Sequence, residues 1–249
     1  AADPGSVGTK WAKRIPVIAL VVWQAFVLGF LTLAGVENRI LLALAGMAGG
    51  LSLLWIGGCG VLSLFARNPI YRAIQRIPLP SSVTFFGFVT LLALVEEAVA
   101  TLMTNCAPLF GVQVGEVYIT ASADYLDVVL FHSVVAFLGQ FATWAWMLSR
   151  YAFSPFSVFL LYGLTGFINE TLFVGIQPLT LAQWILIYGL MIYLPAYCYP
   201  KMPRRVVRWW HYPLAVVLPI VGSMPVVVLM VFVIAPGHPS IHFPLMGSR

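Results

Sequence analysis

The sequence predicts an all-α, polytopic transmembrane bundle of seven spans, with its N-terminus cytoplasmic and its C-terminus extracytoplasmic. Three observations carry this expectation. Hydrophobic residues make up 61% of the chain and charged residues 8%, a balance that no water-solvated fold needs. Apolar stretches of about 20 residues, the length that crosses a hydrocarbon core of about 30 Å as a helix, recur along the whole chain. Lys and Arg cluster beside alternate ends of those stretches.

The spans read as residues 15–35, 40–65, 83–104, 126–149, 155–176, 179–199 and 213–235. Each must be helical, because a helix satisfies its own backbone hydrogen bonds in lipid, and the stretches lack the period-two alternation of a barrel strand. The first is longer than the apolar core of a secretion signal and is followed by further spans, so it reads as a span and not as a leader. All 249 residues form a single integral membrane domain. Within it, residues 1–12 are a polar N-terminal tail, expected to be loosely ordered over its first ten residues. Gly247-Ser248-Arg249 reads as a cloning scar.

Orientation follows from charge. Lys10, Lys13 and Arg14 precede the first span, and Arg67, Arg72 and Arg76 follow the second. Arg150 follows the fourth, while Lys201, Arg204, Arg205 and Arg208 follow the sixth. Of the 13 Lys and Arg residues, only Arg39 and Arg249 fall on the other side. The rule that positive loops stay inside makes the first set cytoplasmic, and an even number of spans would break the segregation. A net charge of +5 therefore serves topology and lipid headgroups, and no nucleic-acid partner is expected. Cys59, Cys106 and Cys198 have neither disulfide-framework nor zinc-site spacing.

Three connections add detail. Residues 68–80 and 202–212 combine arginines with Ile70, Ile74 and Ile77, or with Trp209 and Trp210, as segments lying in the headgroup plane do. The long outer loop, residues 105–125, is expected to fold back as a lid or a short re-entrant piece. Gly46, Gly49, Gly50, Gly57, Gly58 and Gly60 are expected to allow close helix contact in the second span.

The informative residues are those that are expensive where they stand. Glu96 and Glu97 fall in the third span, His132 in the fourth, and Asn169 with Glu170 in the fifth. An ionisable group at the centre of a span costs about 2.5–3.5 kcal/mol on insertion scales, and such groups usually face the bundle interior and act there. At about 1.5 Å per residue, Glu97 and Glu170 lie about 21 and 22 Å from the cytoplasmic starts of their spans, and His132 about 9 Å below the outer surface. That is one layer.

The expected reactive set is Glu97, His132 and Glu170, with Glu96, Asn169 and Thr101 as supporting residues and Glu116, Asp124 and Asp127 at an acidic outer mouth. Like-charged neighbours in low dielectric resist joint ionisation, so a carboxyl pair divides into an acid and a base. Three functions fit the layer. The leading one is an intramembrane hydrolase acting on a lipid or another membrane-embedded substrate, by acid–base or metal-assisted chemistry with a divalent metal on Glu97, His132 and Glu170. The second is a proton- or cation-coupled transporter or channel, and the third is an accessory subunit whose buried polar network fixes packing. Membrane lipids and a hydrophobic substrate or an ion are the expected partners.

Glu96-Glu97 with His132 resembles the ingredients of the glutamate-dependent intramembrane proteases related to the CAAX prenyl endopeptidases. The pattern departs from that family at Thr101, where it has Arg, at Val128, where it has Phe, and at Ala136, so membership is not assigned. No HExxH or GxSG motif is present. Lys10, Lys13 and Lys201 lie outside the spans, which excludes a retinal Schiff base. His238 and His242 could join an external metal site with the loop acids, although a histidine pair at this spacing usually belongs to an exposed tail.

Overall fold

In the computed structural model the described residues are 4–175, 177–200, 204–239 and 241–243, with side chains described from Arg14 onward except at Phe173 and Val174. Lys201 and Gly247-Ser248-Arg249 lie outside them. The chain is all-helical. Among the described residues there is no strand, only isolated bridges at Val114–Val117, Ser122–His242 and Tyr151–Arg205.

The helices are α1 (Pro4–Ala34), α2 (Arg39–Ile74), α3 (Ser81–Asn105), α4 (Tyr125–Phe131), α5 (Ser133–Arg150), α6 (Pro155–Val174), α7 (Leu181–Cys198) and α8 (His211–Ile234). Five of them are long and apolar enough to cross a membrane, six when α4 and α5 are taken as one span bent by 45°. This is a multi-pass membrane protein. Local chemistry starts the helices where they start: the Asn38 side chain accepts from Ile40 N and Leu41 N, Asp124 from Leu126 N and Asp127 N, and Ser154 from Ser157 N ahead of Pro155.

α7 is the axial helix and packs on α1, α2, α3 and α6, while α8 packs on α5 and α6. Apolar attraction between helices is weak in lipid, so close fit and interhelical hydrogen bonds hold the bundle. Gln24 Nε2 donates to Ser52 Oγ at 3.0 Å and to Gln183 Oε1 at 3.4 Å, joining α1, α2 and α7. The Trp55 indole donates to the Ile187 carbonyl at 3.2 Å. Gly46 and Gly50 seat Phe110 and Met103, whereas Gly49, Gly58 and Gly60 face open space, so only part of the glycine cluster serves packing. Backbones approach closely between α5 and α8, where a Cβ on Gly139 would lie 2.5 Å from the Gly222 carbonyl oxygen, and between α6 and α7, where one on Gly163 would lie 2.6 Å from that of Ile185.

Several expectations are corrected. The amino-terminal residues expected to be loosely ordered are helical from Pro4. Residues 68–80 are not a separate in-plane helix, because α2 runs on to Ile74 and a turn follows. Of residues 202–212, the described part is tied to the end of α5: Arg205 N donates to the Arg150 carbonyl and Ala152 N to that of Arg205. Arg204 Nη1 donates to the Leu148 carbonyl at 2.9 Å. This arginine caps a helix end.

The loop over residues 105–125 folds back onto the bundle and contains no α-helix between Asn105 and Tyr125. A 3-10 turn at Ala107–Phe110 ends at Gly111, whose φ of 81° needs glycine, and Val112 and Val117 are buried in the core.

The fourth apolar stretch is broken at His132, whose φ of −126° and ψ of −116° leave the helical region. No proline marks the break. Its physical correlate is Asp127: five residues apart on a continuous helix, the two side chains would point about 140° away from one another, yet His132 Nε2 lies 3.8 Å from Asp127 Oδ1.

Gly139→Leu is expected to destabilise the bundle by about 1–3 kcal/mol through overpacking. Gly87→Ala, where a Cβ meets nothing within 4 Å, should leave the thermal midpoint in detergent unchanged or slightly raised.

Candidate functional site

Two adjacent clusters of ionisable side chains occupy the interior, and the sequence-derived set is divided between them. The inner cluster holds the carboxylates. Glu96 and Glu97 are both buried on α3. Glu96 is within electrostatic reach of Glu97 and of Glu170 on α6, and Glu97 likewise of Glu170. Equal depth on two separate spans therefore translates into proximity.

Being about 100° apart on the helix, the two neighbours serve different sides. Ser133 of α5 adjoins Glu97, while Tyr162 of α6 lies within electrostatic reach of Glu96 and Tyr188 of α7 within reach of all three carboxylates. Tyr188 donates its hydroxyl to Glu170 Oε1 in a short hydrogen bond. Gly166 makes this possible. It lies one turn before Glu170 on the same face of α6, and a Cβ there would fall 2.0 Å from the Tyr188 ring, so only glycine lets the ring lie flat against α6 with its hydroxyl at the carboxylate.

The surroundings are polar. Thr101 Oγ1, one turn beyond Glu97, and the Tyr162 hydroxyl are buried without a hydrogen-bond partner, and Asn169 is buried beside Glu170 in sequence. Glu170 is the least buried of the three carboxylates. A surface cleft of about 220 Å³ lined by Gln75, Phe85, Phe88, Pro195 and Tyr199 lies at the other end of α3 and α7 and holds none of these groups.

His132 belongs to the second, outer cluster. Its charged neighbours are Asp127, His238 and His242, and neither Glu97 nor Glu170 is among them. His238 Nε2 lies 2.5 Å from Asp127 Oδ1, and His242 Nδ1 lies 3.1 Å from Asp127 Oδ2. The break in the fourth span is what separates the two clusters, since consecutive residues, His132 and Ser133, enter one each.

The expected outer mouth is dispersed as well. Glu116 pairs with Arg39 at 2.6 Å and accepts from Gln113 N, and Asp124 caps α4. Only Asp127 is left among ionisable partners. The Arg39–Glu116 pair also gives Arg39 a local partner.

Sequence reasoning missed Tyr188, Tyr162 and Gly166. A hydroxyl-bearing aromatic in an aliphatic span and a glycine four residues before an intramembrane glutamate are the signals that point to them.

Gly166→Ala is expected to push Tyr188 off Glu170 and to destabilise by about 1–3 kcal/mol. Combined with Tyr188→Phe it should be markedly less than additive in thermal unfolding; full additivity would show that Gly166 does not seat the tyrosine. Comparison with protein-family models, with curated proteins and with solved structures finds no match for this chain, so the two clusters are interpreted on their own geometry.

Proposed function

We propose that this protein is an intramembrane acid–base enzyme, a hydrolase acting on a lipid or another membrane-embedded substrate, with the Glu96/Glu97/Glu170 cluster as its reactive centre. The observation that carries this reading is the convergence of three carboxylates from α3 and α6, one of them hydrogen-bonded by a tyrosine hydroxyl from α7 and another beside a serine of α5. A network serving only packing needs no third acid, and each acid adds an insertion penalty.

One carboxylate takes a proton from water as the water oxygen attacks the substrate. A protonated neighbour gives its proton to the leaving group, and proton exchange between the two restores the starting state. Glu97 and Glu170 are the acid–base pair. Ser133 and Tyr188 orient them, and Glu96 keeps the cluster from ionising jointly. Glu170, the least buried member, faces the side from which substrate enters. His132 leaves the reactive set and belongs to the outer cluster.

A second reading, a proton- or cation-coupled carrier, is favoured by one observation: the outer Asp–His cluster adjoins the carboxylates through the His132–Ser133 step, as successive stations of a relay do.

We also propose seven spans with the N-terminus cytoplasmic. In support, α6 is 20 residues long, about 30 Å as a helix, and it packs along α7 and α8. The described basic residues Arg150 and Arg205 meet at one end of the bundle, and the Arg39–Glu116 pair joins the start of α2 to the 105–125 loop at the other.

In nanodiscs supplied with a total lipid extract, Glu97→Gln and Glu170→Gln are each expected to lower substrate loss, read by mass spectrometry, by about 10²–10⁴-fold with an unchanged thermal midpoint. A lowered midpoint with full turnover per folded molecule would leave only a packing role. Uptake driven by a pH gradient in proteoliposomes, lost in the same variants, would favour the carrier. For topology, a cysteine placed at Gln113, exposed on the same loop, in a background free of the native cysteines should react with an impermeant maleimide from outside right-side-out vesicles, and one placed at Arg76 only after permeabilisation.

A further inference from the structure

We infer that Asp127, His132, His238 and His242 form a binding site for a divalent transition metal of the zinc class, which clamps the C-terminal tail over the outer end of the bundle. The site is independent of the carboxylate chemistry proposed above.

The residues come from three places in the fold: Asp127 from α4, His132 from the break that follows it, and His238 with His242 from the segment beyond α8. One donor atom from each of Asp127, His238 and His242 lies within 4.8 Å of the other two. His132 Nε2, at 3.8 Å from Asp127 Oδ1, supplies a fourth. Zinc bonds of about 2.0–2.1 Å in a tetrahedron put donor atoms about 3.3 Å apart, so the Asp127, His238 and His242 donors have only a short way to close, and His132, which stands outside that mutually close trio, swings further to complete the set. Three imidazoles and a carboxylate are borderline donors suited to zinc or cobalt, and poorly suited to magnesium or calcium, which take oxygen.

Hydrogen bonding alone does not account for the cluster. Asp127 is 8% exposed, and its Oδ1 has no hydrogen-bond partner, nor do His132 Nε2 and His238 Nε2. His238 Nε2 stands 2.5 Å from that same oxygen, yet the two are not aligned as donor and acceptor. Two imidazole nitrogens and a carboxylate oxygen therefore converge with no aligned hydrogen bond among them. That arrangement is unfavourable for a buried polar group and is the one a cation resolves.

The tail is also positioned for the task. His242 N donates to the Ala121 carbonyl at 2.8 Å, Phe243 packs against Tyr118 with ring centroids 4.9 Å apart, and the Phe131 ring lies 4.7 Å from that of His238. With four protein ligands the site is closed, the pattern of a structural metal.

The test uses the full chain in detergent, with any purification tag removed and metal stripped by a chelator. After equilibration with Zn²⁺, elemental analysis should find one ion per chain. Co²⁺ should give the intense visible absorption of a tetrahedral site, bleached by Zn²⁺. His238→Ala and His242→Ala alter only the tail, so they test the site without endangering the helices; each should lose the ion, while His211→Ala keeps it. Zn²⁺ should raise the thermal midpoint of the parent protein and not that of the double tail variant. Absence of a stoichiometric ion in the parent, retention of the ion by the double tail variant, or equal loss in His211→Ala would each overturn the site.

Discussion

A hydrocarbon solvent offers no hydrogen bonds, and the arrangement of this protein follows from that single constraint. Backbone groups are satisfied by helices, and side-chain groups must find partners on other helices or leave the bilayer. The Gln24, Ser52 and Gln183 bonds hold α1, α2 and α7 together, and Arg204 closes the carbonyl end of α5. Where apolar contact supplies little net attraction, such links and the glycine-permitted approaches at Gly139 and Gly222 decide which helices are neighbours.

The carboxylate cluster is the most demanding product of the same constraint. Glu96, Glu97 and Glu170 share an interior where each ionised group repels the next, and two further helices bring the Tyr188 hydroxyl onto Glu170 and Ser133 beside Glu97. Four helices therefore have to be in place before the centre exists. Its chemistry cannot be a property of any one segment, and the packing that seats Tyr188 on Gly166 belongs as much to the site as the acids do.

Legibility in the sequence followed the strength of the physical signal. The apolar stretches, their helical state and the burial of Glu96, Glu97, Asn169 and Glu170 could be read directly, because lipid penalises any alternative. The meeting of Glu97 with Glu170 could also be read, since helical rise converts residue number into depth. Azimuth could not. Rise says nothing about which way a side chain points around its helix, so Tyr188, Tyr162 and the role of Gly166 stayed hidden.

His132 was placed with the glutamates because a continuous helix over 126–149 puts it at about their level; the break that turns it towards Asp127 has no proline to announce it. The tail histidines were visible as a pair, but their convergence on Asp127, more than a hundred residues earlier, is purely tertiary. The ends of the bundle were read least well, since extension of α2 to Ile74 and the pairing of Arg205 with Arg150 reflect packing and not periodicity.

The interruption at His132 has a mechanical implication. Residues 132 and 133 share one rigid peptide plane, and their side chains reach into different clusters. The angle between the short segment 125–131 and the helix that follows it is therefore set by two dihedral angles at His132. Whatever grips the short segment restrains that hinge, and the helix beyond it can hold its place in the bundle.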